Sequence, residues 1–440
     1  MFKLVVLYFV MVINFNLISQ KNYTYAEIDS ISYFQCMNND WSGIRNTLKK
    51  AEADEIDFFF LYMRAGMIAF NHKNYEFALK QFKHAALMNP ADQDLQLYQY
   101  LSMLKTNRFE DAREFGCQLP DSVQEKYAIQ RKDLFALSFG TNTTISKNIS
   151  THENINFNFP DKKGADVLLK GNVFGTTIQF QMNRKFRTYI FQKFAFFKTN
   201  SLAIEQIAFG NQRYQSAYKN THFQYNLGVV KIFKNGLNIG AGFGFFRTNF
   251  SHLLVDFYPN GIAYFSDTLE QYNNILFAAT IGKRFGNFQP AFSFHYNNLY
   301  GSSQFQFEGA CTYYPWGNTK IFGSTAFSYS FNSNAQQQVF VQKIGVNCTN
   351  WLWMEGKFSL GNLYNYMSNL GFVAYNTADK IVNNTGLDFH FLYRKFELII
   401  GYALQTRVAY YTAYPTYSTS EIISYNYQSN NLITTVKWNF

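Results

Sequence analysis

The last nine residues, Leu432-Ile433-Thr434-Thr435-Val436-Lys437-Trp438-Asn439-Phe440, decide the fold class. Leu432, Thr434, Val436, Trp438 and Phe440 fall on one side of an extended chain, and Ile433, Thr435, Lys437 and Asn439 on the other. Side chains of a strand alternate between its two faces, so this is a strand with a greasy face and a polar face.

The same two-residue period recurs upstream. Leu237, Ile239, Ala241, Phe243 and Phe245 alternate with Asn238, Gly240, Gly242 and Gly244. Phe305, Phe307, Gly309, Cys311 and Tyr313 alternate with Gln304, Gln306, Glu308, Ala310 and Thr312. Phe288–Asn297 and the stretch 387–407 repeat the pattern. Composition agrees. Aromatics are 20% of the chain, with 49 Phe and 32 Tyr, charged residues are 15%, and mean hydropathy is −0.22. A helical membrane protein needs long apolar runs, and none here reaches that length. A sandwich or propeller would display charge outside, yet many of these strands carry almost none on either face. A transmembrane barrel, with lipid on one face and a polar lumen on the other, accommodates both facts.

Aromatic residues at alternate positions before a terminal Phe resemble the closing strand of bacterial outer-membrane β-barrels. In that family this strand is the recognition signal for the barrel-assembly machinery; here the matching residues are Trp438 and Phe440, with Val436 in place of a more usual aromatic. Short turns at Lys234-Asn235-Gly236, Gly286-Asn287, Pro315-Trp316-Gly317-Asn318, Thr349-Asn350 and Arg394-Lys395 alternate with longer connections at about 251–270, 362–382 and 409–428. Short turns on one side and long loops on the other, with both chain ends entering from the turn side, require an even strand number. About 14 strands fit residues 131–440, with 12 and 16 open.

Residues 20–130 read as helical. The run from Phe58 to Pro90 resembles one tetratricopeptide repeat, with Tyr62, Ala65 and Gly66 on a first helix and Ala78, Phe82 and Ala85 on a second. Trp41, Tyr75 and Phe109 recur at 34 residues, the length of that repeat, each after a short polar turn. Two and a half to three repeats are expected, α-helical and periplasmic, ahead of the barrel. A plain helical bundle is the alternative. Stacked repeats form a groove for a protein partner, and Trp41, Tyr62, Tyr75 and Phe109 are the candidate contact residues. Residues 1–19 carry a secretory signal: a basic Met1-Phe2-Lys3 start and an apolar run from Leu4 to Ile13 too short to cross a bilayer.

Enzyme constellations are not found. The chain has no Gly-rich phosphate loop, no paired metal-ligand spacing among Cys36, Cys117, Cys311 and Cys348, and no nucleophile elbow. No enzymatic role, cofactor or metal is expected. A Cys36–Cys117 disulfide is permitted outside the cytoplasm but not dictated. Net charge is +10, but the basic residues scatter near turns and no nucleic-acid motif accompanies them, so an interfacial rim is expected. Asp388, His390, Glu397, Gln405 and Arg407 are predicted to face the lumen from neighbouring strands, either as a filling polar layer or as a selectivity region. His295 is expected to be lumen-facing too. Tyr410, Tyr411, Tyr414, Tyr417, Tyr425 and Tyr427 suit either surface recognition or an aromatic girdle.

Repeats before a barrel are the order of parts in two families, the surface lipoprotein assembly modifiers and the YaiO-like barrels. The resemblance is one of architecture, with motifs confined to residues 58–90 and the last strand. It implies a partner docked by the repeats for delivery to, or assembly at, the barrel. The alternatives are a structural or surface-interaction component with a filled barrel, and a passive pore. Expected partners are outer-membrane lipid, a periplasmic or outer-membrane protein, and the barrel-assembly machinery during biogenesis.

Overall fold

The computed structural model describes residues 23–439 except 107, 128–134, 148–164, 185–186, 208–211, 258–262, 300–302, 333–334, 376–378 and 417–418. The proposed signal segment 1–19 and Phe440 lie outside the described residues. By its internal contacts the chain divides into two compact units, Met1–Gln130 and Arg131–Phe440.

The first unit is helical. Its helices are α1 (Tyr25–Met37), α2 (Trp41–Ala53), α3 (Phe59–Asn71), α4 (Tyr75–Met88), α5 (Gln93–Lys105), α6 (Phe109–Gly116) and α7 (Asp121–Lys126). Polar side chains start α1, α2, α4 and α5 by accepting the orphan amides of the first turn. Thr24 and Glu27 form a reciprocal capping box on α1. Asp40 accepts from Gly43 N–H at 2.9 Å, Asn74 from Phe77 N–H at 3.2 Å and Asp92 from Leu95 N–H at 2.8 Å. Helix starts recur at one spacing: Tyr25, Phe59 and Gln93 open α1, α3 and α5, while Trp41, Tyr75 and Phe109 open α2, α4 and α6. Asn39 and Lys73, both left-handed with φ of 50° and 62°, occupy equivalent places in the turns of the first two pairs. Small residues let α3 and α4 close on each other: Ala65, Ala69, Ala78 and Ala85 are fully buried, and Phe82 lies so tightly on Gly66 that a Cβ there would sit 2.4 Å from its ring. All four cysteines are free thiols, so no Cys36–Cys117 bridge is formed.

The second unit is a closed antiparallel barrel. Its wall strands are β1 (Phe135–Lys147), β2 (Ala165–Arg184), β3 (Thr188–Ile207), β4 (Gln212–Ile232), β5 (Leu237–Phe257), β6 (Ala263–Lys283), β7 (Phe288–Asn297), β8 (Gln304–Tyr313), β9 (Ile321–Phe331), β10 (Gln336–Asn347) and β11 (Leu352–Gly361). After a two-stranded hairpin outside the wall, β12 (Met367–Ser368) with β13 (Val373–Ala374), come β14 (Lys380–Tyr393), β15 (Phe396–Thr416) and β16 (Thr419–Asn439). The wall order β1-β16-β15-β14-β11-β10-β9-β8-β7-β6-β5-β4-β3-β2 closes on itself with 14 strands. The seam runs from Ala136↔Asn439 to Lys147↔Gln428, so over that stretch the terminal strand leaves no open edge.

The alternation read from sequence sets which face is out. Phe305 and Phe307 are exposed while Gln304, Gln306 and Glu308 are buried inside the barrel; Phe396, Ile400, Tyr402 and Leu404 are exposed, and Ala403 and Gln405 are buried. On β5 the outward run Ile239 to Phe245 covers roughly 20 Å of strand before Arg247 and Asn249 follow on the same face. With the strand tilt of such barrels that run spans about 15 Å of an apolar membrane band roughly 25 Å tall. At the end carrying the short turns, exposed Phe233, Phe285, Phe288, Trp316, Trp351, Tyr393, Phe396 and Trp438 form an aromatic girdle.

Two of the three expected long loops are not loops. Residues 251–257 and 263–270 continue β5 and β6 in register to Phe257↔Ala263. Residues 409–416 and 419–428 continue β15 and β16, whose outer end pairs with β2 through Thr412↔Asp166. Polar outward residues above the membrane band hid this continuation, because a strand that leaves the bilayer no longer alternates greasy with polar. The third stretch is a connection, but its described residues 362–375 fold into the barrel.

Candidate functional site: a segment inserted in the barrel lumen

Between β11 and β14 the chain turns inward. Leu363, Tyr366, Met367 and Phe372 are all buried, a composition unsuited to a solvated loop and explained by their packing inside the wall. Met367 packs with Phe246, Leu276, Ala278 and Leu299, and Leu363 and Tyr366 with Val339, Val341 and Ile381. The tip, Asn369–Gly371, is a tight turn with three successive left-handed residues, φ 52°, 54° and 83°. Gly takes that conformation freely, whereas Leu370 pays about 1–2 kcal/mol for it.

What holds the tip is a stripe of glycines on the inward faces of β4 and β5. Leu370 lies on Gly240 and Gly242, and a Cβ at Gly242 would be 2.3 Å from the Leu370 carbonyl oxygen. The Phe372 ring lies on Gly228, and a Cβ there would be 2.7 Å away.

Polar wall residues tie down the backbone of the segment. Gln306 acts as a strand partner to Met367: its amide donates to the Met367 carbonyl at 2.6 Å and its oxygen accepts the Met367 N–H at 3.0 Å. Asn226 donates to Gly371 O at 3.0 Å, and Lys193 to Phe372 O at 2.7 Å. With its amide turned to donate, Gln337 reaches the carbonyls of Asn362 at 3.2 Å and Tyr364 at 2.9 Å. Buried Glu308 accepts from Tyr366 Oη and Ser328 Oγ, both at 2.7 Å. Asn384 donates to Tyr375 Oη at 3.2 Å, and Tyr427 to Asp379. These anchors come from β3, β4, β8, β10, β14 and β16, so the segment reaches from wall to wall. A buried carbonyl without a donor is costly, which is why each is met by a side chain.

The five polar residues singled out from sequence lie on β14 and β15 and divide by height. Near the turn end His390 Nδ1 is 2.8 Å from Glu397 Oε1, and Lys437 Nζ is 3.6 Å from Glu397 Oε2. Further up, Arg407 donates to Gln405 Oε1 at 2.7 Å, and Ser429 to the same oxygen at 3.4 Å. Asp388 is opposite Gly401 and Glu355 in register. Arg407 lies within electrostatic reach of Asp379, the residue that accepts from Tyr427. His295 faces inward and is buried. Tyr410 is exposed and Tyr427 buried.

In the helical unit Trp41 meets Phe77 edge-on at 5.0 Å and stacks near His72. Tyr62 stacks on His84 at 4.1 Å, and burial together with the Asp57 carboxylate pushes its pKa up to about 12. Tyr75 packs edge-on against Phe70 at 5.0 Å. These three are half-buried, whereas Phe109 is exposed. The exposed apolar set of this unit also includes Tyr33, Phe34 and Met37 on α1 and Phe60 on α3. Arg64 lies 5.5 Å over both the Tyr33 and Phe60 rings and bridges to Asp29 at 2.7 Å.

No family model and no curated protein matches this chain. Solved barrels do resemble it. A Pseudomonas aeruginosa FadL homologue is 9% identical with a TM-score of 0.46, covering 71% of this chain and 91% of its own. The Pseudomonas putida toluene transporter TodX is 7% identical with a TM-score of 0.45, at the same coverage. The translocator domain of the autotransporter NalP from Neisseria meningitidis is 7% identical with a TM-score of 0.32, covering 77% of this chain and 99% of that one. The strand ladder carries the assignment: the second unit is a 14-stranded antiparallel barrel of the outer-membrane type, with a segment of its own chain seated in the lumen.

Proposed function

We propose that this is a non-enzymatic outer-membrane protein that works through a docked protein partner. Its helical pairs are read as tetratricopeptide-like repeats on the periplasmic side. They capture the partner for delivery to, or assembly at, a barrel that is filled at rest. The observation that favours docking over a passive pore is the wall-to-wall seating of residues 362–375. A pore needs a wet path, and here paired polar anchors and packed apolar side chains occupy the lumen. The helix starts recurring at one spacing in α1 to α6 support the repeat reading.

The test is photo-crosslinking in living cells from the full-length chain, with the photoreactive residue placed singly at Phe34, Phe60 and Phe109. One specific protein captured from these positions, and not from outward barrel positions such as Phe340, is the expected result. No adduct from any of the three sites would refute docking. A steady single-channel current from the purified wild-type barrel would favour the pore.

A further inference from the structure

The six connections at the turn end, between residues 184–188, 232–237, 283–288, 313–321, 347–352 and 393–396, contain no Asp or Glu. They hold Lys234, Lys283, Arg284, Lys320, Arg394 and Lys395, with Arg184, Lys185 and Arg187 at the first of them. The opposite end differs, since β5, β6 and β16 carry Asp256, Asp267 and Glu421 there. The basic rim is built into the aromatic girdle rather than standing apart from it. Lys283 Nζ is 5.1 Å from the centre of the exposed Phe285 ring, and Arg394 Cζ is 5.5 Å from that of exposed Tyr393. Arg284 Cζ lies 4.6 Å over Tyr314, which is buried, so this cation is not planted on the exposed girdle.

An aromatic ring exposed at the edge of an apolar band sits at headgroup depth. A cation planted on that ring is therefore held at the level of lipid phosphates. Basic residues stand on five of the six connections, spread around the circumference, so a single globular partner cannot cover the rim, but annular lipid can. Lysine and arginine attract anionic lipid by roughly fivefold in affinity per residue near the surface.

We propose that the turn-end rim is a binding collar for anionic phospholipids. Phosphatidylglycerol is the probe, phosphatidylcholine the neutral comparison and soluble glycerol phosphate the test for a simple phosphate site. Native mass spectrometry of the full chain reads the lipids retained. Wild type is expected to retain phosphatidylglycerol over phosphatidylcholine, and glycerol phosphate in millimolar excess is expected not to displace it. Replacing Lys234, Lys283, Lys320, Arg394 and Lys395 by Gln is expected to weaken that preference more than tenfold. The pair Lys234→Gln and Lys395→Gln should weaken it several-fold, and is read if the five-site variant does not refold. Lys198→Gln, Lys219→Gln and Arg247→Gln, away from the turn end, are expected to leave it unchanged. Equal retention of the two lipids by wild type, equal loss in the control variant, or displacement by glycerol phosphate would each overturn the collar.

Discussion

A single methyl group at Gly242 should unseat the inserted segment while leaving the barrel intact. An alanine Cβ would lie 2.3 Å from the Leu370 carbonyl oxygen, 3.1 Å from Leu370 Cβ and 3.2 Å from its carbonyl carbon. Two of those atoms are backbone and cannot rotate away, so the tip must withdraw by about 1 Å to reach ordinary contact. Overpacking of this kind costs about 1–3 kcal/mol. Withdrawal also stretches the bonds from Asn226 to Gly371 O and from Lys193 to Phe372 O, 3.0 and 2.7 Å long. The first contributes about 1 kcal/mol and the second, from a charged donor, about 1.5–3 kcal/mol. A net penalty of about 2 kcal/mol shifts the ratio of seated to unseated segment roughly 30-fold. Gly242 has an ordinary strand φ, so Ala fits the wall itself. The assay is current through the refolded barrel in a planar bilayer, with Gly309→Ala as control, since a Cβ there meets nothing within 4 Å. Gly242→Ala is expected to fold and to open far more often than wild type, with Gly309→Ala silent. A folded Gly242→Ala barrel with wild-type current would refute the seating of Leu370 on the glycine stripe.

Tyr366→Phe removes one of the two donors to buried Glu308 and should weaken the seat by about 1–3 kcal/mol. Thiol labelling of a cysteine placed in the segment would report this as faster modification. Phe307→Lys puts a charge on the outward face of β8 and should cost about 2–4 kcal/mol in bilayer stability, read from urea-dependent folding into vesicles; no loss would mean that this face does not meet lipid. Tyr62 has its pKa raised to about 12 by burial and by Asp57. A raised folded value means the neutral phenol is favoured, so its contribution to stability is present below pH 10 and lost as pH rises through 12. Difference titration of wild type against Tyr62→Phe should therefore show one phenol ionising near 12; ionisation near 10 would contradict that environment.

The barrel was legible because hydrocarbon enforces sidedness at every wall residue. Gln304 to Tyr313 and Phe396 to Arg407 could be assigned to faces from alternation alone, and short turns such as Arg394-Lys395 fixed which ends meet. That the strand number is even followed from both termini sharing one end; 12, 14 and 16 stayed open, and the structure settles it as 14. The strand extensions beyond the membrane were not legible, because Gln271, Asn273 and Arg247 carry no period that separates strand from loop. The inserted segment was hidden for a different reason: its anchors, Lys193, Asn226, Gln306, Glu308 and Gln337, are scattered over four strands and converge only in space. Two local signals did exist. One was the run Gly240, Gly242 and Gly244 facing a lumen that would otherwise need filling. The other was the apolar set Leu363, Tyr366, Met367, Leu370 and Phe372 in what reads as an exposed loop. In the helical unit the spacing of Trp41, Tyr75 and Phe109 exposed the period directly, since each opens a helix.

The central claim, that residues 362–375 occupy the lumen of an outer-membrane barrel, is tested most directly by one crosslink. Met367 of the segment shares a buried cluster with Ala278 on the inward face of β6, and its hydrogen bonds to Gln306 are made by its main chain, so a side-chain change leaves them in place. In a chain with Cys36, Cys117, Cys311 and Cys348 changed to Ser, the double variant Met367→Cys, Ala278→Cys is treated in outer membranes with a short bifunctional thiosulfonate and run on a non-reducing gel. The account predicts an intramolecular crosslink with the mobility shift of a closed loop. Two thiols that are modified singly and never bridged in a correctly folded barrel would contradict it.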